Sequence, residues 1–208
     1  ETLTADGFRQ GGLGNGLAVE NKSWSAWGDF NPFVPCGVTV IIGNNTGCIP
    51  FVIKGWTDDD KTVYVTSYRG LEAPFEYLNL MADDVLILHI PDTKGGRSIA
   101  YLCQYPAKFT SHPDYATTVP DGYEEMCDMP RKDGYILHFA ISTNGICFPD
   151  AIGGGINKGA CDYYGFPGRT TNGWHGCLLS GGAWLGSMTG FGFLDANYRS
   201  SHSKAYSG

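Results

Sequence analysis

The amino-acid sequence predicts an α+β protein that is rich in strands and loops, with a β-rich N-terminal part. Three observations carry this expectation. Short runs dense in β-branched and aromatic residues, at 38–42, 49–53, 61–66, 85–90, 98–101 and 135–141, are separated by Gly, Asn and Asp. One segment, Glu76 to Ala82 after Pro74, places Tyr77, Leu78 and Met81 toward one side and reads as a short helix. Glycine accounts for 30 of 208 residues, about twice the usual share of roughly 7%. Without a collagen period, that glycine marks turns and irregular backbone.

In chain order, residues 1–35 read as an extended arm in which Trp24, Trp27, Phe30 and Phe33 are held ready to pack on something else. Residues 36–110 form a β-rich part, either a separate domain or the first half of a single one. Within it, Gly43-Asn44-Asn45-Thr46-Gly47 between two β-runs is a hairpin signal. Asp58-Asp59-Asp60 lacks the spacing of a calcium loop and reads as a solvated turn. Between Pro106 and Pro130 the chain is broken by Pro113 and Pro120, which makes it a connection, with at most one helical turn at Tyr123–Cys127. It is either a domain boundary or a long insertion. The last part spans 111–208. There, Tyr135–Ile141 reads as a buried strand with His138 as a hydrogen-bonded core residue, and Gly153-Gly154-Gly155 lacks the sequence of a phosphate cradle.

Composition excludes several functions. The net charge is −7 and no segment collects Lys or Arg, so nucleic acid is not an expected partner. The apolar runs near Val38 and Val85 are too short to span a bilayer. The chain begins at Glu1 without Met or a signal peptide, which leaves room for a leader or an upstream domain. Seven cysteines without zinc-type spacing read as buried free thiols of a reducing compartment. Five isolated histidines, no G-x-S-x-G, no H-E-x-x-H and no carboxylate pair give no catalytic constellation. We therefore expect no enzyme, no metal and no cofactor.

The informative stretch is the C-terminus. Gly, Ala, Ser and Trp, which fix a backbone, alternate with Leu185, Met188, Thr189, Phe191, Phe193, Asp195, Asn197, Tyr198, His202, Lys204 and Tyr206, which share no chemistry. A strand from Ser201 on would turn the small residues inward and the mixed ones to one outer face.

Asp162-Tyr163-Tyr164, Thr170-Thr171-Asn172-Gly173-Trp174-His175 and Leu178-Leu179-Ser180-Gly181-Gly182-Ala183-Trp184, followed by the tail to Gly208, resemble the C-terminal part of C-type-lectin-fold variable proteins. In that family a retroelement randomises adenines, so that Asn codons scatter into Tyr, His, Asp and Ser. Tyr198, His202, Lys204 and Tyr206 stand where Asn commonly recurs, although Lys204 fits that scheme less directly. The resemblance covers about residues 161–208 and implies a C-type lectin-like fold there. It also implies a receptor-binding protein of a phage tail fibre or a surface-displayed adhesin, located on a virion or outside the cell. Its partner would be a host-surface protein or glycan, and its form a homo-oligomer, with a trimer as one candidate. The mixed residues would contact the ligand, with Trp174 and His175 near the rim. A calcium-dependent sugar site is not implied, because neither Glu-Pro-Asn nor Trp-Asn-Asp occurs. The alternative is a structural virion or fibre subunit assembled through the arm.

Overall fold

The computed structural model describes residues 47–53, 61–68, 71–72, 79–110, 118–141, 145–155, 162–179, 188, 192–197 and 206–207. The arm, the run at 38–42, the turn at Asp58–Asp60 and residues Leu185, Thr189, Phe191, Tyr198, His202 and Lys204 lie outside these described residues.

The expectation of an α+β fold, C-type lectin-like at its C-terminus, is corrected: the described residues are almost entirely strand and turn. Their only helical pieces are short 3-10 turns, of which Asp92–Lys94 and Pro106–Lys108 are the longest. A three-stranded antiparallel sheet holds β1 (Gly47–Ile53), β2 (Lys61–Tyr68) and β3 (Leu71–Glu72). The larger sheet contains β4 (Asn79–Ile90), β5 (Arg97–Cys103), β6 (Tyr123–Asp128), β7 (Gly134–Ile141) and β8 (Cys147–Ile152). It is completed by β9 (Tyr163–Gly165), β10 (Gly173–Leu179), β11 (Leu194–Asp195) and β12 (Tyr206–Ser207). The strand order is β6-β5-β4-β10-β11-β9-β7-β8, with β12 on β4.

The run Val85-Leu86-Ile87-Leu88 is apolar at every position because both of its faces are covered. Alternation along β4 and β5 sends Ile87, Ala100 and Leu102 into one cluster with Ile136, Phe148, Tyr164 and Cys177. Leu86, Leu88, Ile99 and Tyr101 go into another with Tyr123 and Trp174. Each fully buried aliphatic side chain in these clusters contributes about 1.5–3 kcal/mol.

β10 runs along one edge of β4, so β5 and β12 share the other: β5 pairs with Val85–Ile90, and β12 runs parallel to Asn79–Leu80. The register with β10 jumps from Leu86 opposite Gly176 to Ala82 opposite Cys177. Asp83, Asp84 and Val85 therefore bulge, and the Asp83 carbonyl accepts a hydrogen bond from the Tyr123 hydroxyl.

Three local expectations are also corrected. Asn79 to Ala82, the second half of the expected helix, is β4: its pairing with β10 and β12 satisfies two backbone edges at once and overrides a weak local preference. Tyr123–Cys127 is strand rather than helical turn, because Asp121-Gly122, with Gly122 at φ 86°, reverses the chain and lays it against β5. Tyr135–Ile141 is a strand as expected, but only Ile136 in it is fully buried. His138 is exposed and faces Asp150 on the edge strand β8, since β9 pairs with β7 only at Gly134 and Tyr135.

One arginine ties the turns of the larger sheet together. The Arg131 guanidinium, with its side chain only 17% exposed, donates to the carbonyls of Ile90 and Arg97 at 2.8 Å each and to the Asp92 carboxylate. It also stacks 5.7 Å from the centroid of Phe166, and Arg169 adds a second contact to Asp92. Arg131 thereby joins the β4–β5 turn to the loop before β10. The hydrogen bond from Arg131 holds the Asp92 carboxyl below the usual carboxylate range.

Arg131→Ala should cost about 2–3 kcal/mol in urea unfolding, since it removes a donor from two backbone carbonyls and leaves Asp92 with only the longer contact to Arg169. A folded-state pKa below that of the unfolded chain stabilises above the unfolded value and is lost on acidification. The Asp92 contribution should therefore be intact at neutral pH and fade only below about pH 4. Asp92→Asn should remove that acid-side dependence in a pH series of unfolding curves.

Candidate functional site

The C-terminal stretch is positioned by β9, β10 and β11, and the geometry there is a set of interior polar side chains that hold backbone. β10 presents Trp174 and His175 to opposite faces of the sheet, as period two requires. Trp174 packs edge-on to Tyr101 with centroids 4.9 Å apart. His175 directs Nδ1 to the Ala196 carbonyl at 2.8 Å, so that nitrogen carries the proton. Its ring meets His89 edge-on at 4.8 Å, and His89 Nδ1 is 2.9 Å from the Ser98 hydroxyl.

Two carboxylates continue the pattern. Asp162 accepts the Gly192 N–H at 2.9 Å, and Asp195 accepts the Asn197 N–H at 2.9 Å. The Ala196 N–H reaches the Gly165 carbonyl at 3.0 Å. Residues 192–197 are thus fixed through their main chain. Gly165 is required for this, because a Cβ there would come within 2.3 Å of an Asp195 carboxylate oxygen. Burial pushes the Asp195 carboxyl above the usual range, opposed by its bonds to Asn197. Burial also pushes the Tyr164 hydroxyl and the Cys177 thiol strongly up, so neither is a nucleophile at neutral pH.

Of the expected ligand contacts, Trp174, His175 and Phe193 are 5%, 3% and 3% exposed. Trp174 and His175, expected near the rim, lie in β10 between β4 and β11, and Phe193, expected as a ligand contact, directly precedes β11; all three are interior in the described structure. Met188 is half-buried, Asp195 is mostly enclosed, and Asn197 is exposed. Tyr206 lies in β12, opposite Asn79. Asp195 and Asn197 come together through the bond between them. The structural role of Asp162, Arg131 and His89 was missed from sequence. Asp162 and Arg131 carry no local signal, while His89 could have been flagged as a polar residue inside the apolar run 85–90.

Among the described residues no three His, Cys, Asp or Glu side chains converge as metal ligands, and no helix is long and apolar enough to cross a membrane. Cys103, Cys127, Cys147 and Cys177 are free thiols; Cys103 and Cys177 are buried as expected, whereas Cys147 is exposed at the β7–β8 end. Comparison of the chain with protein-family models, with curated proteins and with solved structures finds no match.

A carboxyl whose folded pKa is raised loses stability as pH climbs through the interval between its unfolded and folded values. Asp195→Asn keeps an acceptor for the Asn197 N–H and removes the buried charge. Its melting temperature should exceed that of the parent at pH 7 by roughly 2–4 °C, and the gain should vanish near pH 3.

Proposed function

We propose that the protein is a receptor- or ligand-binding protein that displays side chains of its C-terminal stretch from a rigid β-scaffold. The observation that carries this reading is the manner in which residues 192–197 are held. The contacts at Gly192 and Ala196 go to backbone N–H and C=O groups and not to side chains. A main chain fixed in this way keeps its course when neighbouring side chains change, which is what a binding face with interchangeable residues needs.

The resemblance of residues 161–208 to retroelement-diversified variable proteins supports the same reading at the level of sequence. The proposal keeps the display principle of that family and not its α+β lectin fold. Tyr198, His202, Lys204 and Tyr206, together with Asn197, would supply the contacts, the rings contributing buried area and Asn197, His202 and Lys204 polar selection. The protein would act on a virion or outside the cell as a homo-oligomer whose copies add avidity against a host-surface protein or glycan. A second reading, a structural fibre or virion subunit, is favoured by Ile141, which is 72% exposed at the end of β7.

The test is a variant with Tyr198, His202, Lys204 and Tyr206 all changed to Ala, compared with the parent for retention on a panel of intact bacterial cells. The expected outcome is binding weakened at least about 100-fold, as loss of two or three hot-spot contacts predicts, with the unfolding midpoint unchanged. Unaltered retention of the variant on cells that hold the parent would refute the reading.

A further inference from the structure

Two histidines meet inside the larger sheet, on the face that carries the main core. Strand alternation puts them there: His89 follows Val85 and Ile87 along β4, and His175 precedes Cys177 along β10. Ser98 on β5 pairs with His89 and lies 2.9 Å from its Nδ1. The two rings stand edge-on with centroids 4.8 Å apart, and His175 Nδ1 donates to the Ala196 carbonyl at 2.8 Å. A chain of polar groups thus runs from β5 through β4 and β10 to the tail.

We propose that His89 and His175 form an acid-sensitive latch: with both rings neutral they hold Ala196 to β10, and acidification through the ordinary histidine range frees residues 192–197 while the sheet stays folded. Three features of the closed latch oppose a charge on the pair. Both rings are almost fully buried, at 1% and 3% exposure, and burial disfavours the charged form of an imidazole. Two imidazolium rings at this separation would repel strongly inside the protein. Phe166 packs 5.7 Å from His89, and the same ring carries the Arg131 guanidinium at 5.7 Å, a fixed cation on the latch's turn side. Lifting Ala196 returns water to His175 and lets it take a proton. A histidine kept neutral by closure contributes stability above its ordinary value of about 6.5, and that contribution is lost as pH falls below it.

The other titratable groups around the pair do not act in this sense. Cys177 on β10 and Tyr164 on β9 are pushed up by burial and stay uncharged. Arg97, next to Ser98 on β5, is turned outward to Glu125 and Asp128 on β6. Asp195, one residue before Ala196, has its carboxyl raised by burial, so acid tightens the tail through that group and opposes the latch. Asp162 holds Gly192 and not Ala196, which makes Ala196 the position to read. The consequence for binding, a tail displayed at neutral pH and let go in acid, rests on the function proposed above. The latch itself does not.

The experiment follows amide hydrogen exchange of the full chain at about pH 7.5 and about pH 5.5, corrected for intrinsic rates, with the ¹⁵N signals of the histidine rings recorded in the same samples. One histidine that charges only when the tail lifts predicts Ala196 protection about tenfold lower at the acid pH. Protection of the β10 amides should be unchanged, and the rings of His89 and His175 neutral at the higher pH. His175→Asn keeps an N–H near the Nδ1 position and cannot charge, so its Ala196 protection should be equal at both pH values. Ala196 protection that ignores pH in the parent, a pH dependence that persists in His175→Asn, or a charged ring at the higher pH overturns the proposal. Equal losses at Ala196 and in β10 overturn it too, by showing that the whole sheet opens. Should His175→Asn fail to fold, the parent's exchange and ring signals decide alone. No ligand enters these readouts, so the latch stands or falls apart from the tail-binding function.

Discussion

The larger sheet depends on β4. Its Val85–His89 half is buried on both faces, with β10 along one edge and β5 along the other, while β12 pairs Asn79–Leu80. A segment paired along both edges and buried on both faces cannot shift register without exposing apolar surface and unpairing backbone groups. The strands that carry the C-terminal stretch take their positions from it: β10 directly, β11 through β10, and β9 through β11. β4 bulges at Asp83–Val85 opposite β10, and Tyr123 from β6 supplies the freed Asp83 carbonyl with a donor.

Polar interior groups then determine how the tail lies on this sheet. His175, Asp162 and Asp195 each engage a backbone atom of residues 192–197, and His89 and Ser98 back His175 from β4 and β5. Groups of this kind are costly when unpaired and contribute modestly when paired, so their effect is on specificity of position more than on net stability. That is the property that the proposed display of interchangeable side chains requires. Arg131 plays the matching part at the turn end, where one planar guanidinium satisfies two strand-terminal carbonyls and a carboxylate.

The sequence was most legible in its runs of β-branched and aromatic residues. Val85–Ile90, Ser98–Tyr101, Lys61–Thr66 and Ile49–Ile53 are dense in β-branched and aromatic residues, and each falls inside a strand. β6 and β8 escaped notice for local reasons. Tyr-Glu-Glu-Met-Cys-Asp has little β-propensity, and Cys-Phe-Pro-Asp-Ala-Ile carries a proline that is tolerated because β8 is an edge strand. The helix expected at Glu76–Ala82 fails at Asn79–Ala82 because non-local pairing outweighs a short apolar spacing. In the candidate site, a Trp-His pair beside a Gly looks the same whether it lines a rim or fills an interior. Only the position of β10 between β4 and β11 distinguishes them.

The central claim is that the backbone at Gly192 and Ala196 is locked to the frame independently of the side chains that the C-terminal stretch is proposed to display. Amide hydrogen exchange tests it most directly, read at Gly192 and Ala196 in the parent and in a variant with the outer tail residues replaced. The account predicts protection at both amides, within about tenfold of the β10 amides and equal in the two proteins. Exchange at the rate of an open loop in the parent, or protection lost when only the outer side chains change, would contradict it.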